Sequence, residues 1–241
     1  MGWQEEFEQI AKDNIHGATY LLQKAAKVLE KLPDLKRREA IKKLPFLQPY
    51  MASFYNLARF LENGGKLEEF FANERRQKEA LIQKASKLIE EKRVLTHSFS
   101  SLVFEAIKSA RNVSVITTKS APLNEGEAMA KELFELGVDV RVIEDAAAAY
   151  MVKDVDIVLF GADGIGDFGL VHKIGSLGIA LAAKLYEKPL YALATPSKFW
   201  PRGFRLPPQP LQNPKEVSEL PAINYYFDVT LWDYFLPLTS D

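Results

Sequence analysis

Cysteine is absent from the 241 residues, and that absence removes disulfides, thiolate nucleophiles and cysteine-ligated metals from consideration. Histidine is scarce: His16, His97 and His172 stand far apart and show none of the short spacings that gather metal ligands. An excess of one charge is missing too. Lysine and arginine number 31 against 32 aspartates and glutamates, a net charge of −1, so no overall positive field exists to hold nucleic acid or an anionic membrane. The longest basic cluster, Lys36-Arg37-Arg38 with Lys42-Lys43, surrounds Glu39 in a helical stretch and reads as a solvated face. No apolar run is long enough to span a bilayer, and the opening MGWQEEFEQ lacks a basic and then apolar leader pattern. The reading is a cytoplasmic protein with no metal, no cofactor, no direct nucleic-acid partner and no membrane partner.

What is present is an ordinary globular composition, 47% hydrophobic and 26% charged, long enough for one large domain or two modest ones. Two rhythms divide it. From Trp3 to about Leu29, apolar residues recur every three or four positions, as one buried stripe of a long amphipathic helix requires. Further helical runs are expected over Leu35 to Leu44, ending before Pro45, over Pro49 to Leu61, ending at Asn63-Gly64-Gly65, and over Leu67 to Lys92. From Arg93 onward, short β-branched runs alternate with helical ones. Strands are expected at Val94 to His97, Val113 to Thr117, Val138 to Ile143, Val155 to Phe160 and Pro189 to Ala194, with helices between them, the last from Val171 to Tyr186. Such alternation implies a parallel sheet covered on both faces. The fold class is therefore α/β: a helical N-terminal domain, residues 1–92, followed by a Rossmann-like parallel sheet domain, residues 93–241.

The proline-rich stretch Pro201 to Pro221 is too apolar for a free linker, and the aromatic end, Asn224 to Leu238, suggests docking rather than fraying. Either the same chain or a second copy accounts for that surface.

Parallel sheets bind ligands at the carboxyl ends of their strands. That rim would carry His97 and Ser98, Lys119 to Gly126, Glu144 and Asp145, Asp163 to Gly166, and Thr195 to Lys198. Ser98, Ser100 and Ser101 open a helix, where an N-cap role and an anion site both suit serine. Asp163, flanked by Gly161 and Gly164, suits either a turn cap or a group that binds a sugar hydroxyl or moves a proton. Lys173, in the first turn of the expected last helix, opposes the helix dipole unless an anion is near or the side chain runs into solvent. GADGIGDFG lacks the spacing of a dinucleotide fingerprint.

The same residues carry a resemblance. ITTKSAPLNEGEAMAKELFELGVDVRVIEDAAAAYMVKDVDIVLFGADGI, then HKIGSLGIALAAK, PLYALATPSKF and FDVT, with IHGATYLLQKAAKVL in the helical half, resemble the superfamily of translation initiation factor 2B alpha, beta and delta subunits. Methylthioribose-1-phosphate and ribose-1,5-bisphosphate isomerases belong to it too. The resemblance implies a homodimer formed through the sheet domain, a sugar phosphate or nucleotide ligand, and a translation-factor protein partner. It also implies ligand contacts at His16, Gly17, His97, Ser98, Glu125, Gly126, Asp163, His172 and Lys173. In the isomerases a cysteine and the aspartate of the GAD block move a proton between two sugar carbons. Asp163 matches the aspartate, but Ser98 stands at the cysteine position, and a hydroxyl is a far weaker acid than a thiol. His16 and Ala121 replace two phosphate-gripping arginines, Glu125 replaces a glutamine and His172 an asparagine, and the loop after Ile165 is one residue short. These departures favour a non-catalytic regulatory or assembly role. The alternative is an aldose-ketose isomerase for a phosphorylated ribose derivative, with Asp163 and Ser98 as the family's catalytic pair and His97 or His172 replacing the thiol.

Overall fold

The N-terminal stripe folds as two helices rather than one. In the computed structural model, which describes residues 2–240, α1 (Trp3–Lys12) stops where Asp13 turns its carboxylate back onto the amides of Ile15 and His16, at 3.2 and 3.1 Å. Gln48 Nε2 donates to the Ile10 and Asp13 carbonyls and satisfies that helix end. The chain then re-enters a helix after Gly17 as α2 (Ala18–Glu30). An Asx turn leaves the hydrophobic spacing intact on both sides, so periodicity alone does not reveal the break.

Next come α3 (Asp34–Leu47), α4 (Ala52–Glu62) and α5 (Leu67–Ile89). The expected stop before Pro45 is not observed. Proline costs one hydrogen bond near the end of α3, and burial of Ile41 and Leu44 keeps the helix going to Leu47. Phe7, Ile10, Leu21, Leu29, Leu44 and Phe54 meet in one core, each contributing about 1.5–3 kcal/mol on burial.

The second half alternates β1 (Arg93–Thr96), α6 (Ser101–Ser109), β2 (Ser114–Thr118), α7 (Glu125–Glu135), β3 (Asp139–Ile143), the single turn α8 (Ala148–Met151) and β4 (Ile157–Phe160). A short hairpin, β5 (Gly164–Gly166) with β6 (Gly169–Lys173), leads to α9 (Ser176–Leu185) and β7 (Leu190–Leu193). Last come β8 (Phe227–Thr230) and β9 (Leu236–Leu238). The main sheet is six-stranded and parallel, in the order β3-β2-β1-β4-β7-β9. Leu81, Ala85 and Ile89 of α5 pack with Val103 and Ile107 on one face, and Ile179 and Ala183 pack with Val158 and Phe160 on the other. The α/β class, helical first and parallel-sheet second, is the one the sequence pattern implies.

One correction changes the site. Val171 to Lys173 is strand, not the start of a helix, because β6 pairs antiparallel with β5 and with the distant β8 in a three-stranded sheet. Gly169 makes this approach at φ 120°, and a Cβ there would overlap the Thr230 carbonyl. The aromatic end does dock: Tyr226 and Phe235 are buried, Trp232 Nε1 donates to the Gly166 carbonyl at 2.9 Å, and β9 adds to the sheet beside β7. Pro237 has no N–H to offer, which an edge strand tolerates. Among the described residues no helix is long and apolar enough to cross a membrane.

Candidate functional site

Strand order reverses between β1 and β4: from β1 the chain proceeds outward through β2 and β3, from β4 through β7. In a doubly wound sheet the crevice beyond that switch point is where a ligand fits. Here the crevice is roofed by the α1–α2 turn and forms a cavity of about 360 Å³, within the range of small-molecule sites. His16, Gly17, Ser98 and Glu125 line it, as do Asp163, His172 and Lys173. Ser98 and Asp163, from different strand ends, thus share one space.

His97 and Gly126 do not reach that space. His97 is 1% exposed and lies beneath it, held by a chain of hydroxyls. Ser98 N–H donates to Ser120 Oγ at 2.8 Å, Ser120 lies 2.8 Å from Thr118 Oγ1, and Thr118 lies 2.5 Å from His97 Nδ1. His97 Nε2 donates to the Ile174 carbonyl at 2.7 Å, which fixes the tautomer and leaves Nδ1 to accept. Burial pushes the His97 imidazole down to about 4, against the bond to Ile174, so His97 is neutral. This network also holds Ser98 at φ 69°, a left-handed backbone unusual for serine. Gly126 is glycine because a Cβ would overlap the Thr118 carbonyl: it lets α7 press against the end of β2.

His172 Nε2 meets the His97 carbonyl oxygen at 3.2 Å, and His172 Nδ1 meets Asp163 Oδ2 at 3.3 Å. Ser98 Oγ donates to Glu125 Oε1 at 3.1 Å, and that same oxygen is 2.8 Å from Lys173 Nζ. The carboxylate oxygen that faces the Ser98 hydroxyl is already engaged by Lys173, so among the described residues no free base stands against that hydroxyl. Lys173 is 4% exposed and projects from the end of a strand, so its charge is answered by Glu125 rather than by solvent. Among the described residues Lys173 Nζ has no partner beyond its ion pair with Glu125 Oε1, and Glu125 Oε2 has none; both residues line the cavity.

Two helix N-termini converge on the same space. Gly17 precedes α2 with no side-chain cap, and Ser100 caps α6 by accepting from Val103 N–H; neither helix has an acid in its first turn. The serines are thereby told apart: Ser100 is the cap, Ser98 binds Glu125, and Ser101 faces the cavity. His16 sits at the mouth, stacked on Tyr20 with ring centroids 4.2 Å apart, and its Nδ1 lies 2.9 Å from Asp13. Partial burial raises the Asp13 carboxyl, but bonds from the His16 side chain and amide outweigh this and hold it below the usual range.

Sequence reasoning placed Lys198 on the rim without giving it a role. It lines the cavity, is 9% exposed, and donates to the Ala162 carbonyl; burial lowers its pKa against the pull of Asp163 and Glu74. Tyr226 and Phe227 also enter the lining, brought by the β6–β8 pairing, which no local pattern signals. Among the described residues no cluster of three metal-ligating side chains is present.

Known proteins share this arrangement to different degrees. A Pyrococcus abyssi protein named for its likeness to eIF-2B subunit 2 is 34% identical over 98% of this chain and 94% of its own length. Ribose 1,5-bisphosphate isomerase of Methanocaldococcus jannaschii is 31% identical over 82% of this chain and 73% of its own. The crystal structure of translation initiation factor eIF-2B from Pyrococcus horikoshii superimposes with a TM-score of 0.87 at 30% identity, covering 99% of this chain and 94% of that one. The model of the initiation factor 2 subunit family matches residues 18–234, and this chain belongs to that family.

Proposed function

We propose that this protein binds a phosphorylated small metabolite, a sugar phosphate or a nucleoside monophosphate, and acts as a regulatory or assembly member of its family rather than as an isomerase. The observation that carries the reading is the convergence of two helix N-termini, free of acids in their first turns, on one cavity that also holds buried Lys173. Backbone N–H groups at such ends favour a phosphate. Asp163 and Glu125 would accept from ligand hydroxyls, and the stacked His16–Tyr20 pair would cover the mouth. The geometry supports His16, Gly17, Ser98, Glu125, Asp163, His172 and Lys173 as contacts, with His97 and Gly126 supporting them from behind.

The reading divides the chain into a helical unit, residues 1–92, and a Rossmann-like unit, residues 93–241, and has the protein act in the cytoplasm as a homodimer with a translation-factor partner. Tyr150, Leu185 and Trp232 are exposed on elements around α9 and support dimerisation through the sheet unit.

A second reading is favoured by one contact. Asp163 and His172, 3.3 Å apart, form an acid and base pair in the cavity, and a proton-transferring isomerase would use it with Ser98 as a bystander. Thermal melting with ribose 5-phosphate and AMP, together with an NMR assay for ketose formation from ribose 1,5-bisphosphate, separates the two. Stabilisation without ketose supports the binding role. Ketose formation that is lost in Asp163→Asn overturns it.

A further inference from the structure

Two buried lysines meet this cavity in different electrostatic settings. Lys173 has a carboxylate at 2.8 Å. Lys198 has none in ion-pair contact among the described residues; its Nζ is held by the neutral carbonyl of Ala162. The charged groups that face it are Asp163, from the turn after β4, and Glu74 and Lys78, from α5. Lys78 stands behind it in a small adjoining cavity and donates to Thr19 Oγ1 at 3.0 Å. A buried ammonium without a contacting carboxylate is costly, so burial lowers the Lys198 pKa against the pull of Asp163 and Glu74 and favours the free amine. Burial, the largest cause, lowers Lys78 as well, to about 8.

We propose that Lys198 is a carbonyl-reactive amine that captures the open-chain aldehyde or ketone of a phosphorylated sugar as a reversible imine. The proposal rests on the sugar-phosphate reading of the cavity and adds the chemistry by which the ligand is held. The Nζ lone pair adds to the carbonyl carbon while the carbonyl oxygen takes up a proton and the nitrogen releases one, giving a carbinolamine. Loss of the hydroxyl as water, with a second proton delivered to it, forms the C=N bond as an iminium, and release of the remaining N–H proton leaves the neutral imine. Amine and carbonyl become imine and water, with no oxidant or reductant. Asp163, on the same cavity wall, is the carboxyl placed to relay these protons. Capture by covalent bond would compensate for the missing arginines: the phosphate is held by helix ends and the carbon chain by Lys198.

The test uses the full-length protein with pyridoxal 5′-phosphate, an aldehyde that carries a phosphate, and sodium cyanoborohydride to reduce any imine to a stable secondary amine. Peptide mass spectrometry then locates the label. The expected result is one modification, at Lys198, formed at pH 7 at least about tenfold faster than at any exposed lysine, slowed by excess ribose 5-phosphate and absent from Lys198→Met. Mapping on the wild-type protein decides the matter even where that variant fails to fold. Label on Lys173, label spread over exposed lysines, or no label overturns the proposal. Melting with ribose 5-phosphate alone is run in parallel. A melting shift without Lys198 label sinks the imine and leaves the binding reading standing; label that ribose 5-phosphate neither slows nor accompanies with a shift overturns the sugar-phosphate reading and the capture proposed on it.

Discussion

Asp163 Oδ2 and His172 Nδ1 face each other at 3.3 Å while the far side of the same imidazole, Nε2, lies 3.2 Å from the His97 carbonyl oxygen. A carbonyl only accepts, so Nε2 is the side of the ring that donates, and Nδ1 is the side turned to the Asp163 carboxylate. The pair is locked in orientation by the backbone just after β1, and one carboxylate oxygen remains for a ligand.

Asp163→Asn follows from this. The amide can donate to an unprotonated Nδ1, so the fold is expected to survive with its melting temperature nearly unchanged. A charged acceptor for ligand hydroxyls is lost, and affinity for ribose 5-phosphate is expected to drop about tenfold, from a charge-assisted bond of roughly 1.5–3 kcal/mol. Calorimetric titration of the variant checks it; unchanged affinity places Asp163 outside the binding contacts.

His97 predicts a pH dependence. Its folded value of about 4 lies below the ordinary imidazole value of 6.5, so the unfolded chain takes up a proton first as pH falls. Stability from this group is complete above pH 6.5 and is lost as pH falls toward 4, on the order of 3 kcal/mol in all. Urea midpoints between pH 7 and pH 4.5 should fall more steeply in the wild type than in His97→Gln. Parallel curves would show that His97 is not held neutral.

Gly126→Ala is expected to destabilise by about 1–3 kcal/mol, because the new Cβ meets the Thr118 carbonyl, backbone that cannot turn away, as well as Ser120 Oγ. A variant as stable as the wild type in urea would mean that α7 and β2 separate freely.

Leu185 is 74% exposed at the end of α9. Leu185→Glu is expected to turn a dimer into a monomer in analytical ultracentrifugation with the circular dichroism unchanged. A wild-type protein that is already monomeric contradicts the proposed assembly.

Much of this architecture is legible in the sequence because local and global signals agree. The β-branched runs that become β1, β2, β4 and β7 sit between amphipathic helices, and an alternating pattern of that kind has few packings open to it. Ser98 and Asp163 were identifiable as neighbours because both end parallel strands on either side of the switch point. What was hidden depends on distant partners. Val171 to Lys173 has an apolar content that suits helix or strand, and only pairing with β8, more than fifty residues on, decides for strand. The break at Asp13 is a side-chain bond to the backbone that leaves the hydrophobic stripe unaltered. Lys198 shows its importance only through burial and the absence of a contacting acid among the described residues, neither of which is written in SKF.

The convergence of helix ends on the cavity is tested most directly at Gly17, the uncapped residue before α2. A Cβ there comes no closer than 3.9 Å to the Phe99 carbonyl, so Gly17→Asn and Gly17→Asp both fit and both can cap the helix. Titration of the wild type and both variants with ribose 5-phosphate at low ionic strength is the measurement. The expected result is three folded proteins of similar or improved stability, with binding by the wild type and a loss of at least about tenfold that is much larger in Gly17→Asp, whose charge occupies the place of the phosphate. Wild-type protein that binds nothing, or Gly17→Asp that binds as tightly as wild type, would contradict the account.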